Sequence, residues 1–203
     1  FSGHTEYLAE AFGTGNVGML MVVPPEPKKH GGLRVLLSTT HVAIKDLPPL
    51  LTVERITQTI LLGYHACRER LGLAQPRIGV AGLNPHGGEE GLFGKEEKTV
   101  IRPAVEKALG EGIPVTGPWP ADTLFRRAVD GEFDLVIALY HDQALIPVKL
   151  LGFHRSVNVT IGLPIIRTSV DHGTAYDIAG KGTADPGSLI EAIRLAADLS
   201  RIS

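Results

Sequence analysis

The stretch FDLVIALYHDQALIPVKLLGF, Phe133–Phe153, opens with the most apolar run in the chain. Residues 133–140 read as a strand, because a short apolar run that ends abruptly at polar residues fits a buried strand. A short helix is expected to start near Pro147, since proline suits the first helical position. Upstream, RIGVAG (Arg77–Gly82) and IPVTG (Ile113–Gly117) also read as strands, and the segments Lys95–Leu109 and Ala121–Val129 as helices. Val53, Ile56, Ile60, Leu61, Tyr64 and Cys67 recur at helical spacing within Thr52–Leu71. Val17–Val23 and Leu33–Ser38 read as two more strands around the polar turn PPEPKKHGG, and Gly3–Gly13 as a short helix closed by Gly13. Strands alternating with helices imply an α/β fold, a mostly parallel sheet with flanking helices. From about Ser156 the chain turns loop-heavy, and only the last helix, about Ser188–Leu199, is clearly amphipathic.

Composition narrows the function. The 203 residues are 43% hydrophobic and 21% charged with net charge −2, an ordinary globular balance. No basic excess exists to neutralise a nucleic-acid backbone, although a few cations suffice for one phosphate. The single Cys67 sits in a helical pattern, where a buried apolar thiol is expected, and one cysteine cannot build a thiolate cluster. No membrane-spanning run or targeting motif is visible, so no membrane partner is expected and a cytoplasmic location is.

Three histidines share one context. His41 follows LRVLLSTT, His86 follows RIGVAGLNP and His141 follows FDLVIALY, each just where the chain leaves the sheet. Carboxyl ends of parallel strands converge on a crevice in open α/β sheets. Three imidazoles there could meet on one divalent metal with open positions left for a ligand. The intervals carry no local signature, and a surface or core role competes for each histidine. His30 and His65 fall in a turn and a helix and read as structural.

Lys149, Asn158 and Arg167 form a second, cationic and polar set. With a helix starting near Pro147, Lys149 would lie in its first turn, where exposed backbone N–H groups favour an anion. Arg167 is approached by Leu163, Ile165 and Ile166, and an arginine in such a run usually meets an anion. A third set is DHGTAYDIAGKGTADP, Asp171–Pro186, whose glycines 173, 180 and 182 permit close backbone approach to a ligand and whose Asp177 could accept from ribose hydroxyls. No strand leads visibly into it, and it is not a GxGxxG fingerprint.

GHTEYLAE, TTHVAIKDLP, LNPHGGEEG, GPWPADTLF, YHDQALIPVK and VNVTIGLPIIRTSVDHGTA together resemble the 4-hydroxythreonine-4-phosphate dehydrogenase family of vitamin B6 biosynthesis, over nearly the whole chain. The resemblance implies the fold of isocitrate and isopropylmalate dehydrogenases, two domains around a cleft, in a homodimer with its active site at the interface. It makes His41, His86 and His141 ligands of a divalent metal, zinc first, magnesium or cobalt otherwise. It makes His4, Thr5, Lys149, Asn158 and Arg167 binders of a small phosphorylated substrate. HGTAYDIAGKGTADP resembles the adenosine loop of isopropylmalate dehydrogenases, so His172 and Asp177 are expected to bind NAD, with NADP as the alternative.

The implied reaction oxidises 4-phosphooxy-L-threonine at C3 to a β-keto acid, which decarboxylates to 3-amino-2-oxopropyl phosphate. Asp122 and Asp142 are candidate proton acceptors, with helix capping as the alternative. Residues 1–155 are expected to form a metal-binding, dimer-forming domain and 156–203 a segment of the cofactor domain. The family carries a further segment before GHTE, so the first domain would be incomplete. Rival readings are a dehydrogenase of phospho-threonate or phospho-erythronate, a metallohydrolase, and a non-catalytic dimerisation fragment.

Overall fold

The computed structural model describes residues 3–27 and 29–202. Among the described residues seven strands form one sheet: β1 Gly18–Val23, β2 Leu33–Leu37, β3 Ile78–Ala81, β4 Val115–Trp119, β5 Leu135–Ala138, β6 Val157–Ile161 and β7 Arg167–Val170. Their spatial order is β4-β3-β5-β2-β1-β6-β7. The ladders among β4, β3, β5 and β2 are parallel, and those from β2 through β1 and β6 to β7 are antiparallel. By direction, β6 therefore runs with β2–β5, and only β1 and β7 run against them. The sheet is mixed and mostly parallel, as expected.

The described residues hold six α-helices, α1 His4–Ala11, α2 Val53–Glu69, α3 Arg102–Gly110, α4 Ala121–Val129, α5 His141–Gly152 and α6 Gly187–Leu199, of which α2 to α6 flank the sheet. Period-two alternation in the strands creates two cores. Leu20, Leu36, Leu135 and Ile137 face α2, α3 and α6, whose Ile56, Ile60, Ala104 and Ala192 are buried with them. Met21, Val35, Val136 and Ala138 face α4 and α5, against Leu124, Ala144 and Val148. Helix α2 starts at Thr52, whose hydroxyl accepts from the Arg55 N–H at 3.1 Å. Cys67 is fully buried in the first core, as its helical position implies.

Two expectations change. Helix α5 begins at His141 and carries Pro147 inside it. Burial of Ala144, Leu145 and Val148 outweighs the hydrogen bond that proline forfeits. Lys149 thus lies in the last turn, and the argument from free N–H groups does not apply to it. The loop-heavy C-terminal stretch contains β6 and β7, and β7 leads directly into Asp171–Pro186. The sheet also runs unbroken across residue 155, with β6 hydrogen-bonded along β1. Among the described residues no helix is long and apolar enough to cross a membrane.

Candidate active site

Neighbouring parallel strands β3, β5 and β2 end at the same edge, followed by His86, His141 and His41 respectively. Buried side chains tie these ends together. The Thr39 hydroxyl donates to the Leu139 carbonyl at 2.7 Å. Gln143 accepts from the Leu139 N–H at 2.7 Å and donates to the Gly82 carbonyl at 2.8 Å. Neither residue stood out in the sequence, because a buried threonine or glutamine carries no local pattern.

His41 and His141 come together, with ring centroids 5.5 Å apart. Imidazoles sharing one ion through bonds of about 2.0–2.1 Å at tetrahedral angles have centres roughly 5 Å apart. The pair fits two ligands of one metal. His141 Nδ1 lies 2.7 Å from Asp142 Oδ1. Such a contact orients the ring and leaves Nε2 free as a ligand. His86 does not join them: no group of three potential ligands converges among the described residues. It is exposed beside Phe93, ring centroids 6.4 Å apart.

The turn that carries His86 is left-handed. His86, Gly87, Gly88, Glu89 and Glu90 all have positive φ, from 39° to 78°. Glycine accepts this freely, but His86, Glu89 and Glu90 each carry a cost of about 1–2 kcal/mol. Acidic residues hold the turn. Glu90 pairs with Lys98 at 2.9 Å and Arg102 at 3.7 Å, and the Lys98 bond is the main cause holding its carboxyl below the usual range. Glu96 and Glu97 fold back onto Asn84. The crowd of carboxylates after His86 is therefore mostly structural.

The anion set lies on the α5 face of the sheet edge. Asn158 pairs in register with Met21, and Arg167 with Thr160, so all point to the side that α5 covers. Arg167 donates to the Thr160 hydroxyl at 3.0 Å and makes no ion pair among the described residues; burial lowers its pKa. Lys149 Nζ meets the Asp171 carboxyl at 3.1 Å, and that carboxyl is 1% exposed. Asn158 Oδ1 and Asp171 Oδ1 are buried without a hydrogen-bond partner. Lys149 lines a cavity of about 510 Å³, whereas the cavity of about 410 Å³ that Arg167 borders is walled by Leu62, His65 and Ala66 of α2, on the opposite face from its register partners, so the set does not share a single cavity.

The second cavity is walled by Asp171, His172, Ala175, Gly180 and Gly182, the predicted nucleotide loop. Asp177 is exposed on a single turn, Tyr176–Ile178, outside that lining. Asp122 is exposed in the first turn of α4, with no hydrogen-bond partner among the described residues. His4 and Thr5 open α1, His4 exposed and Thr5 half-buried.

Residues 1–196 match the model of the family described as "Pyridoxal phosphate biosynthetic protein PdxA". The chain belongs to this family. A 4-hydroxythreonine-4-phosphate dehydrogenase of Desulfosudis oleivorans is 53% identical over 98% of the chain and 57% of its own length. A D-threonate 4-phosphate dehydrogenase of Cupriavidus necator is also 53% identical, over 98% of the chain and 58% of its own length. The crystal structure of 4-hydroxythreonine-4-phosphate dehydrogenase from Klebsiella pneumoniae superposes with TM-score 0.86 at 45% identity, covering 98% of this chain and 59% of that one. A β-decarboxylating dehydrogenase from Thermococcus kodakarensis, 18% identical with TM-score 0.62, shares the fold alone. The chain thus spans a little over half the length of the PdxA-family relatives it matches.

Proposed function

We propose that the chain is the metal-binding, interface-forming part of a homodimeric NAD-dependent dehydrogenase that oxidises 4-phosphooxy-L-threonine at C3. The β-keto acid product decarboxylates to 3-amino-2-oxopropyl phosphate, a step toward pyridoxal phosphate. The observation that carries this reading is the His41–His141 pair at the sheet edge, oriented through Asp142 and with no third ligand beside it among the described residues. His41, His141 and the partner subunit's His86 would hold a divalent ion, zinc by its preference for imidazole. When bound, the ion supplies Lewis acidity at the C3 hydroxyl.

Exposed apolar side chains support the dimer. Leu92 and Phe93, 72% and 46% exposed, close the turn after His86, with the Phe93 ring beside His86, and Ile146 and Leu150 on α5, the helix that begins at His141, continue into Phe153 at its end. A second copy covering them would carry its own His86 toward the pair. Arg167, Lys149 and Asn158 bind phosphate or carboxylate, with His4 and Thr5 completing the substrate pocket. Asp142 is engaged by His141, so Asp122, without a partner among the described residues, is the better proton acceptor for the hydroxyl. His172 and Asp177 bind the dinucleotide, and the Asp177 carboxylate disfavours the extra phosphate of NADP.

A second reading, oxidation of D-threonate 4-phosphate, is favoured by the equally similar Cupriavidus relative. The full-length protein decides between them by NADH formation with each substrate, before and after chelation. Turnover of 4-phosphooxy-L-threonine, lost to chelator and restored by zinc, is expected. Preference for D-threonate 4-phosphate would install the second reading, and turnover without NAD would sink both.

A further inference from the structure

Glu97 is 2% exposed, a carboxyl group in the core of the turn that presents His86. Oε1 accepts from the backbone N–H groups of Leu83 at 2.8 Å and Asn84 at 2.7 Å. Oε2 accepts from the Asn84 side-chain amide at 2.9 Å, which also reaches Glu96 at 2.8 Å. The chain makes room for this group. A Cβ on Gly88 would stand 2.6 Å from Oε2, and one on Gly82 3.4 Å from Oε1. Glu97 also begins a π-helical widening, Glu97–Ile101, ahead of α3. Such single-turn bulges re-aim side chains and gather at functional sites.

We propose that Glu97, with Asn84 as its clamp, is a positioning residue for His86. Its three hydrogen bonds fix Leu83 and Asn84, which lead through Pro85 into the left-handed turn, so His86 is held in its strained conformation before any ligand arrives. A buried acceptor with fixed donors does this without an entropic penalty at the moment of binding. The proposal rests on reading His86 as a metal ligand, and neither touches nor replaces that reading's evidence.

The test is zinc affinity of the full-length protein, measured by competition with a chromogenic chelator, with unfolding curves in EDTA to verify that each variant is folded. Glu97→Ala is expected to bind zinc about 10–100-fold more weakly, the usual effect of removing a group that supports a ligand. Glu97→Gln should recover most of that affinity, because its amide oxygen still accepts from Leu83 and Asn84. A merely structural role would lower stability in EDTA and leave zinc affinity of the folded protein unmoved. Wild-type affinity in Glu97→Ala, beside a loss in His86→Ala, overturns the proposal alone; wild-type affinity in His86→Ala removes the reading beneath it. Asn84→Ala releases Oε2 while keeping the backbone bonds, and a smaller loss is expected. If Glu97→Ala does not fold, unchanged affinity in Asn84→Ala overturns the proposal.

Discussion

Burial acts on two side chains of this molecule in the same sense and with different consequences. It pushes the Cys67 thiol up to about 12 and lowers the Arg167 guanidinium, because desolvation disfavours whichever form is charged. For Cys67 the result is an inert apolar filler. For Arg167 it is a cation partly stripped of water that bonds one hydroxyl and makes no ion pair among the described residues, a state that an anionic ligand relieves. Arg167→Lys should weaken binding of the phosphorylated substrate by about tenfold or more, since a lost charge-assisted bond costs about 1.5–3 kcal/mol. Titration calorimetry on the full-length protein reads this directly, with thermal unfolding near wild type. Unchanged affinity would make Arg167 structural.

Helix α2 lies tight on the sheet at Gly63. A Cβ there would stand 2.6 Å from Leu135 Cδ2 and 2.9 Å from Leu36 Cδ2. Gly63→Ala gains helix propensity but overpacks the core, and a net loss of about 1–2 kcal/mol is expected by urea unfolding. A stabilised variant would mean that the two leucines repack freely. Elements with a full apolar face, α2 and β5 among them, were legible in the sequence because one face of each is buried over its whole length. Strand β6 alternates correctly as Val157, Asn158, Val159, Thr160 and Ile161, yet the glycine and proline that follow disguised it as loop. The start of α5 was hidden because Pro147 reads as a beginning, while the core residues that override it, Ala144, Leu145 and Val148, lie on both sides of it. All three histidines fall at adjacent strand ends, as their shared context implied. The left-handed turn and its Glu97 support were not legible, because a carboxyl thirteen residues beyond Asn84 reaches it only once the chain is folded.

Across the whole molecule, the strand ends opposite the three histidines are fastened by an ion pair. Arg77, before β3, grips Asp134, before β5, through two side-chain bonds of 3.0 and 3.1 Å, and its backbone N–H adds a third at 2.9 Å. The Arg77 bond is the main cause that lowers the Asp134 carboxyl pKa. A depressed folded-state value means that the stabilisation is present above the unfolded value of about 3.9 and is lost as pH falls through the folded one. Asp134→Asn should therefore cost about 1 kcal/mol near neutral pH, after allowance for solvent screening. The gap to wild type should close below about pH 4, and a gap independent of pH would show that charge plays no part. Strand β1 joins the two halves of the sheet, with β2 along one side and β6 along the other. A protease nick in the bend before β6 would thus leave two half-ladders that can satisfy each other and nothing else in the chain. Cleaved pieces should re-zip as a split pair, whereas an expressed product stopping at Arg155 would offer Gly18–Val22 as a bare template for aggregation.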